Sequence, residues 1–294
     1  MSNLFTKAKR PSLLSLLASA ALALGFATTT AAQQQQQPPR PPKKKLQASS
    51  NFAQYAGRDA SNRLIAGGAT RNANGTDEAG ALSLKGQEAY EAGRYDEALA
   101  AFKRVAELKP DNARAFYQLG VAYETTGRNR EAVEAYKQAV ALTDKVDIKA
   151  LSYYNMGNVF AADKQPVQAV EAYKQVIALA PEEAVAHYNL GLAYAAAGRT
   201  ADAVESFKQA VALKPDYAEA DFNLGIAYGN LEQYKDAAAA FKRAVEIRPA
   251  YAEAHFNLGL AYLALGDKAD AQAEIKTLQG LKSPLAAKLK SLSY

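Results

Sequence analysis

The sequence predicts an all-α protein built from six helix-turn-helix repeats followed by a short capping helix. Three observations predict this fold. A glycine preceded by Leu or Met recurs at intervals of 34 residues, with one interval of 37; an aromatic residue follows most of these glycines by three positions; and an alanine follows each by twelve. The composition agrees, because Ala contributes much of the 49% hydrophobic content beside 17 Tyr and 10 Phe, and small residues with regularly spaced aromatics suit closely packed helices.

The glycines set the period of the array. Five Leu-Gly or Met-Gly pairs have glycine spacings of 37, 34, 34 and 34, and Lys85-Gly86 lies 34 residues before the first of them. The pairs are Leu119-Gly120, Met156-Gly157, Leu190-Gly191, Leu224-Gly225 and Leu258-Gly259, the following aromatics are Tyr123, Phe160, Tyr194, Tyr228 and Tyr262, and the alanines are Ala98, Ala132, Ala169, Ala203, Ala237 and Ala271.

Each repeat is expected to hold two amphipathic helices of about 14 residues joined by a short turn. The glycine of the pair has no Cβ, so that the partner helix can approach its backbone closely. Gly93, Gly127, Gly198 and Gly266 stand where the first helix should end, in a position that favours a left-handed glycine cap. One such hairpin cannot bury its apolar face alone, so neighbouring repeats must stack.

The pattern closely resembles the tetratricopeptide repeat, a family with a 34-residue unit, over about residues 79–283. The resemblance implies a right-handed superhelical solenoid. The six repeats are expected at about 79–112, 113–149, 150–183, 184–217, 218–251 and 252–283. Two departures stand out: Asp144 replaces the expected Pro at a junction about three residues too long, and Ile275 replaces an aromatic in the last repeat. Residues 284–294 have leucines on one helical face and are expected to form the capping helix.

The N-terminal part predicts export. Residues 1–32 have a basic start, an apolar run from Leu13 to Phe26 and small residues before Gln33, which is the layout of a cleaved secretory signal peptide. An uncleaved membrane anchor is the alternative. Residues 33–78 are rich in Gln, Pro and Lys and then in small polar residues, so we expect a disordered linker. The predicted location is the periplasm or the outside of the cell.

The residues provide little for catalysis. The chain has no Cys, and its two histidines, His187 and His255, are two repeats apart, too far to share a metal ion. It has no phosphate-binding glycine loop and no nucleophile motif. Without Lys7, Lys9 and Arg10 of the signal segment, 32 of the 35 basic residues balance 30 acidic ones, too even for a nucleic-acid footprint. We therefore expect no enzyme, no cofactor, no metal site and no nucleic-acid partner.

The inner, concave wall is the predicted binding site, because the resemblance implies that the first helix of each repeat lines it. Adjacent aromatic and amide residues recur there, and the Asn side chains could grip the backbone of an extended peptide. Alternatively, the Asn residues only satisfy a neighbouring turn or water. The candidate groove residues are Tyr117, Gln118, Tyr154, Asn155, Tyr188, Asn189, Phe222, Asn223, Phe256 and Asn257.

The predicted function is that of an exported protein–protein interaction scaffold that binds polypeptides in its groove. A structural or secretion-linked role, in which the basic Pro-rich arm contacts cell wall or membrane, is the alternative. Any membrane contact is expected to be peripheral at most, and self-association is possible.

Overall fold

A computed structural model of the protein describes residues 78–293, which form thirteen α-helices and no strand. The helices are α1 (Glu78–Glu91), α2 (Tyr95–Leu108), α3 (Ala113–Thr125), α4 (Asn129–Ala141), α5 (Val146–Ala162), α6 (Pro166–Leu179), α7 (Ala184–Ala196), α8 (Thr200–Leu213), α9 (Ala218–Asn230), α10 (Tyr234–Ile247), α11 (Ala252–Leu265), α12 (Lys268–Gly280) and α13 (Leu285–Leu292). The all-α expectation is thus confirmed. The signal peptide and nearly all of the linker lie outside the described residues.

The described chain forms two bodies, residues 78–199 and residues 200–293. The boundary falls between α7 and α8, the two helices of the fourth predicted repeat. In the first body α1 packs on α2, α3 on α4, and α5 on α6; in the second body α9 packs on α10, and α11 on α12. Successive first helices also touch, α3 with α5 and α9 with α11. The handedness of the superhelix stays a prediction.

The first helices end where the glycines predict. Gly93, Gly127, Gly198 and Gly266 all have positive φ, between 74° and 85°, and lie directly after their helices or close to them. Lys164 and Glu232 occupy the same repeat position in the third and fifth repeats, with φ of 57° and 61°. A side chain in this left-handed conformation is strained, so these two turns are held by the packing around them.

The repeat glycines face an aromatic ring of the second helix. A Cβ placed on Gly120 would lie 2.6 Å from the ring of Tyr136, and one on Gly157 would lie 2.6 Å from the ring of Tyr173. The ring therefore occupies the space that any side chain would need. In the last repeat Ile275 stands in the aromatic position, and Leu289 of α13 packs on Gly259 instead. This contact explains how α13 covers the end of the array.

The irregular third repeat has a longer first helix. α5 has 17 residues, whereas the other first helices have 13 or 14. The inserted residues therefore lengthen the N-terminal end of α5 by about one turn. The preceding turn is held by Thr143 Oγ1, which accepts from the Lys145 N–H at 3.1 Å, and by an ion pair of Lys149 with Asp144 at 3.1 Å.

The N-terminal repeat is polar on the side where a preceding repeat would pack. Lys85 and Glu88 are exposed, and they hold the repeat positions at which the next repeat buries Leu119 and Ala122. Charged residues in these positions would be costly to bury against a further repeat. The array thus carries a polar surface at α1.

Candidate functional site

The aromatic residues predicted to line the groove are mostly buried in their own body. In the first body Tyr117 and Tyr154 are buried, and Tyr188 is partly exposed. In the second body Phe222 and Phe256 are buried; Phe222 packs against Phe241 and Tyr251 with ring centroids 5.8 and 4.9 Å apart. These rings contribute to the packing between helices and leave little area for a ligand.

The amide side chains of the first body connect neighbouring repeats. Asn155 Nδ2 lies 3.4 Å from the hydroxyl of Tyr117 and 3.3 Å from that of Tyr136, and Asn189 Nδ2 donates to the hydroxyl of Tyr154 at 2.8 Å. Each Asn thus contacts the aromatic residue that stands one position earlier in the preceding repeat. Gln118 follows the same rule with Ser83, whose hydroxyl donates to Gln118 Oε1 at 3.5 Å.

In the second body the amides bond to their own helix. Asn223 Nδ2 donates to the Glu219 carbonyl, and Asn257 Nδ2 donates to the Glu253 carbonyl, both at 2.8 Å. Phe222, which precedes Asn257 by one repeat, has no hydroxyl to offer, so Asn257 turns back to its own backbone. Peptide binding by the four Asn residues stays a prediction, and a bound peptide would have to share or replace these hydrogen bonds.

A carboxylate stands among the tyrosine hydroxyls of the first body. Glu124, near the end of α3, is partly exposed, and its Oε2 accepts from the hydroxyl of Tyr136 at 2.7 Å. Burial raises the pKa of Glu124, and the Tyr136 hydrogen bond opposes this shift. Burial also raises the pKa of Tyr136 well above its usual value, and the charge on Glu124 adds to the effect.

The second body contains an apolar pocket between α9, α10 and α11. The cavity measures about 30 Å³, and its lining is mostly carbon: Gly225, Ile226, Gly229, Tyr234, Ala237, Phe241, Asn257, Leu260, Ala261 and Ala264. A Cβ added to Gly229 would have no neighbour within 4 Å, so this glycine leaves open space at the pocket. The Tyr234 hydroxyl is buried and has no hydrogen-bond partner.

Of the predicted site residues, only Asn257 lines this pocket. The sequence reasoning missed Gly229, which stands where the other repeats carry Tyr90, Glu124, Ala161, Ala195 and Leu263. The presence of a second glycine in one first helix is the sequence signal that could have revealed the pocket. Glu124, at the same repeat position, was missed as well, and it is the only charged residue in that set.

The remaining ionisable side chains in or near the core belong to the helix packing. Asp221 is buried and pairs with Arg243 at 2.7 Å, while His255 lies between Glu274 Oε2 at 2.6 Å and the Pro249 carbonyl at 2.9 Å. His187 contacts the Pro181 carbonyl at 2.8 Å. Within residues 78–293 no three His, Asp or Glu side chains are grouped as metal ligands.

Stacked helical hairpins that repeat the same packing contacts define a helical-repeat protein. The chain belongs to the tetratricopeptide repeat family. A family model described as Tetratricopeptide repeat matches residues 83–146 and 154–218, one described as TPR repeat matches residues 230–266, and another described as Tetratricopeptide repeat matches residues 252–283. Among curated proteins no sequence matches the chain. Within the described part of the chain, no helix is both long enough and apolar enough to span a membrane.

Solved structures share the fold. A crystal structure of MamA protein is 28% identical with a TM-score of 0.55, covering 60% of this chain and 94% of MamA. MamA from Desulfovibrio magneticus RS-1 is 27% identical with a TM-score of 0.55, covering 60% of this chain and 98% of that one. YrrB, described as a TPR protein with an unusual peptide-binding site, is 22% identical with a TM-score of 0.58, covering 66% of this chain and all of YrrB. The YrrB likeness is one of fold.

Proposed function

We propose that the protein is a protein–protein interaction scaffold, which binds a segment of a partner polypeptide at the first-helix face of its second body. By first-helix face we mean the side where α9 and α11 present Ile226, Gly229, Leu260 and Ala264. The observation that carries the proposal is the pocket at this face. Tetratricopeptide repeats and their structural relatives support a role in protein interaction.

The pocket suits the end of an aliphatic side chain. Its lining residues are apolar except for Tyr234 and Asn257, and burial of a small aliphatic group against such walls is favourable. Tyr234, whose hydroxyl has no partner, could hydrogen-bond to a peptide group beside that side chain. A single apolar anchor with nearby polar groups is the usual arrangement of a peptide-binding hot spot.

Filling the pocket tests this proposal. Gly229→Leu places a side chain in open space, so the fold should be kept while the pocket is closed. Gly280→Leu is the matched control, because Gly280 also has open space at its Cβ but lies at the end of α12, outside the pocket. The measurement is capture of a partner from envelope extract. We expect the wild type and Gly280→Leu to capture the partner, and Gly229→Leu to fail to do so. Equal retention by all three proteins would rule out the pocket as the binding site.

The Asn residues form a second, separable part of the proposed site. Changing Asn155, Asn189, Asn223 and Asn257 to Ala removes the predicted contacts of the four Asn side chains with a peptide. Because these amides also hydrogen-bond within the chain, the variant must first be shown to be helical and folded at the assay temperature. A folded variant that retains the partner as well as the wild type would eliminate the peptide-gripping role.

We further propose that the protein is exported, that residues 1–32 are cleaved and that it acts without catalysis. N-terminal sequencing of the protein from the cell envelope should begin at Gln33. The alternative role through the basic arm makes a different prediction, which is loss of partner or wall binding on deletion of residues 33–77. Binding that survives this deletion and requires Gly229 would favour the scaffold.

A further inference from the structure

Leu260 of α11 belongs to two parts of the second body at once. It lines the pocket between α9, α10 and α11. It also belongs to the hydrophobic cluster in which α11 and α12 meet α13, together with Phe256, Ile275, Leu278 and Leu289. Leu260 is buried. This one side chain therefore forms a wall of the pocket and part of the surface on which α13 packs.

The contacts that α13 makes lie on either side of Leu260 along α11. Leu289 packs on Gly259, the residue before Leu260. The Lys288 ammonium lies 5.8 Å from the ring centroid of Phe256, which precedes Leu260 by one helical turn. The helix α13 packs mainly on α11 and α12. It thus contacts α11 at the segment that supplies the pocket wall.

The helix α13 is short and lies at the C-terminal end of the array. It has 8 residues, whereas the other helices of the second body have 13 or 14. Two of its residues, Ala286 and Leu289, are buried. A helix of this length is not stable alone in water, so α13 persists only while it is docked. Terminal elements open at smaller free energies than the core does, so α13 can detach while the repeats stay folded.

The pocket leaves Leu260 packed on one side and bordered by open space on the other. Side chains in a close-packed interior are held by contacts with their neighbours, and a void supplies none. While α13 is docked, the cluster beneath it holds Leu260 in the rotamer that forms the pocket wall. When α13 detaches, that support is removed, and Leu260 is free to change rotamer and to alter the shape of the pocket.

We propose that α13 regulates the pocket of the second body. The docked helix keeps Leu260 in place as a pocket wall, and release of α13 lowers the affinity of the pocket for the partner's side chain. A group that fills the pocket supports Leu260 from the other side and in turn favours the docked helix, because coupling between two sites is reciprocal. This inference rests on the proposed function, since it concerns control of the same pocket.

Amide hydrogen exchange of the full-length protein tests the coupling without a partner. Gly229→Leu fills the pocket from within the chain. Gly229→Ala is the matched control, because it makes nearly the same gain in helix propensity but leaves most of the pocket open. We expect the amides of α13 to exchange about fivefold more slowly in Gly229→Leu than in Gly229→Ala, a typical size for coupling between sites. Equal or faster exchange in Gly229→Leu would refute the coupling.

Loosening α13 tests the coupling in the opposite direction. Leu289→Ala removes the side chain that covers Gly259, and Leu292→Ser is a milder change at the edge of the same cluster, for use if Leu289→Ala does not fold. The difference between the two δ-methyl carbon shifts of Leu260, measured by NMR, reports its rotamer. We expect this difference to change in the loosened variant and to stay unchanged in Lys290→Ala, an exposed control on α13. A Leu260 rotamer that is the same in all variants would overturn the proposal.

Partner capture from envelope extract separates this inference from the proposed function. We expect Leu292→Ser to weaken capture by about fivefold although its pocket residues are unchanged, and Lys290→Ala to capture the partner as the wild type does. Capture that requires Gly229 but is equal in Leu292→Ser and the wild type would refute regulation by α13 alone. Capture that does not require Gly229 would refute the proposed function, and the exchange of α13 would still decide whether the helix and the pocket are coupled.

Discussion

At the scale of single residues, repeat position constrains backbone conformation more strongly than residue type does. Four repeats place Gly in the left-handed turn after the first helix, while Lys164 and Glu232 adopt nearly the same φ. A non-glycine residue costs about 1–2 kcal/mol in this conformation. The third and fifth repeats are therefore locally strained.

Replacing these residues by glycine should stabilise the protein. Lys164→Gly and Glu232→Gly should each raise the free energy of unfolding by up to about 1 kcal/mol, because relief of strain exceeds the added entropy of the unfolded chain. The control is Lys174→Gly, an exposed position inside α6, which should lower it by about 1 kcal/mol. Urea denaturation followed by circular dichroism measures all three. A loss of stability in Lys164→Gly would contradict the strain argument.

The hydrogen bonds between amides and tyrosines make a second prediction at this scale. Tyr154→Phe should cost about 1–2 kcal/mol, because it leaves the Asn189 amide without its partner at 2.8 Å. Tyr117→Phe is a matched change that should cost less, since Asn155 keeps the Tyr136 hydroxyl. Thermal denaturation of both variants compares them. Equal losses would show that the ring environment, and not the amide, determines the cost.

At the scale of helices, the 34-residue period was sufficient to predict the hairpins. Gly, Ala and aromatic residues at fixed spacing restrict each pair of helices to one packing arrangement, as Gly120 against Tyr136 illustrates. The extra turn of α5 could not be located in this way, because an insertion can lengthen either the loop or the helix. The site was harder to predict. Whether Tyr117 or Asn155 faces solvent depends on side chains of the next repeat, and no single repeat specifies them.

The capping helix α13 completes the last repeat. Leu289 is fully buried beside Ile275 and Leu278, and it fills the space over Gly259. Leu289→Ala should therefore lower the free energy of unfolding by about 2–5 kcal/mol. Lys290→Ala, one residue further and exposed, should be nearly neutral. Chemical denaturation distinguishes the two, and a Leu289→Ala cost below about 1 kcal/mol would mean that α13 does not cap the array.

At the scale of the whole molecule, the buried carboxyl group of Asp221 should make the free energy of unfolding depend on pH. Burial raises the pKa of Asp221, against the opposing effect of Arg243. The folded state therefore holds this proton more tightly than the unfolded state does. The contribution of Asp221 to stability is fully present below its ordinary pKa and is lost as the pH rises through the raised value.

Asp221→Asn should remove this dependence. The difference in melting temperature between Asp221→Asn and the wild type should shift in favour of the variant as the pH is raised from about 3.5 to 7, because Asn does not ionise. Asp216→Asn, at an exposed position, serves as the control for general charge effects. A difference that shifts in favour of the wild type over this range would show that the ion pair with Arg243 outweighs burial.

The central claim is that a partner polypeptide binds where α9 and α11 frame the pocket. A photoreactive benzoylphenylalanine at Asn230, beside the pocket residue Gly229, tests it most directly, with the same group at exposed Lys242 on the second helix α10 as the control. We expect the partner to be cross-linked from Asn230 and not from Lys242. Cross-linking from Lys242 alone would place the partner on the second helices and contradict the account.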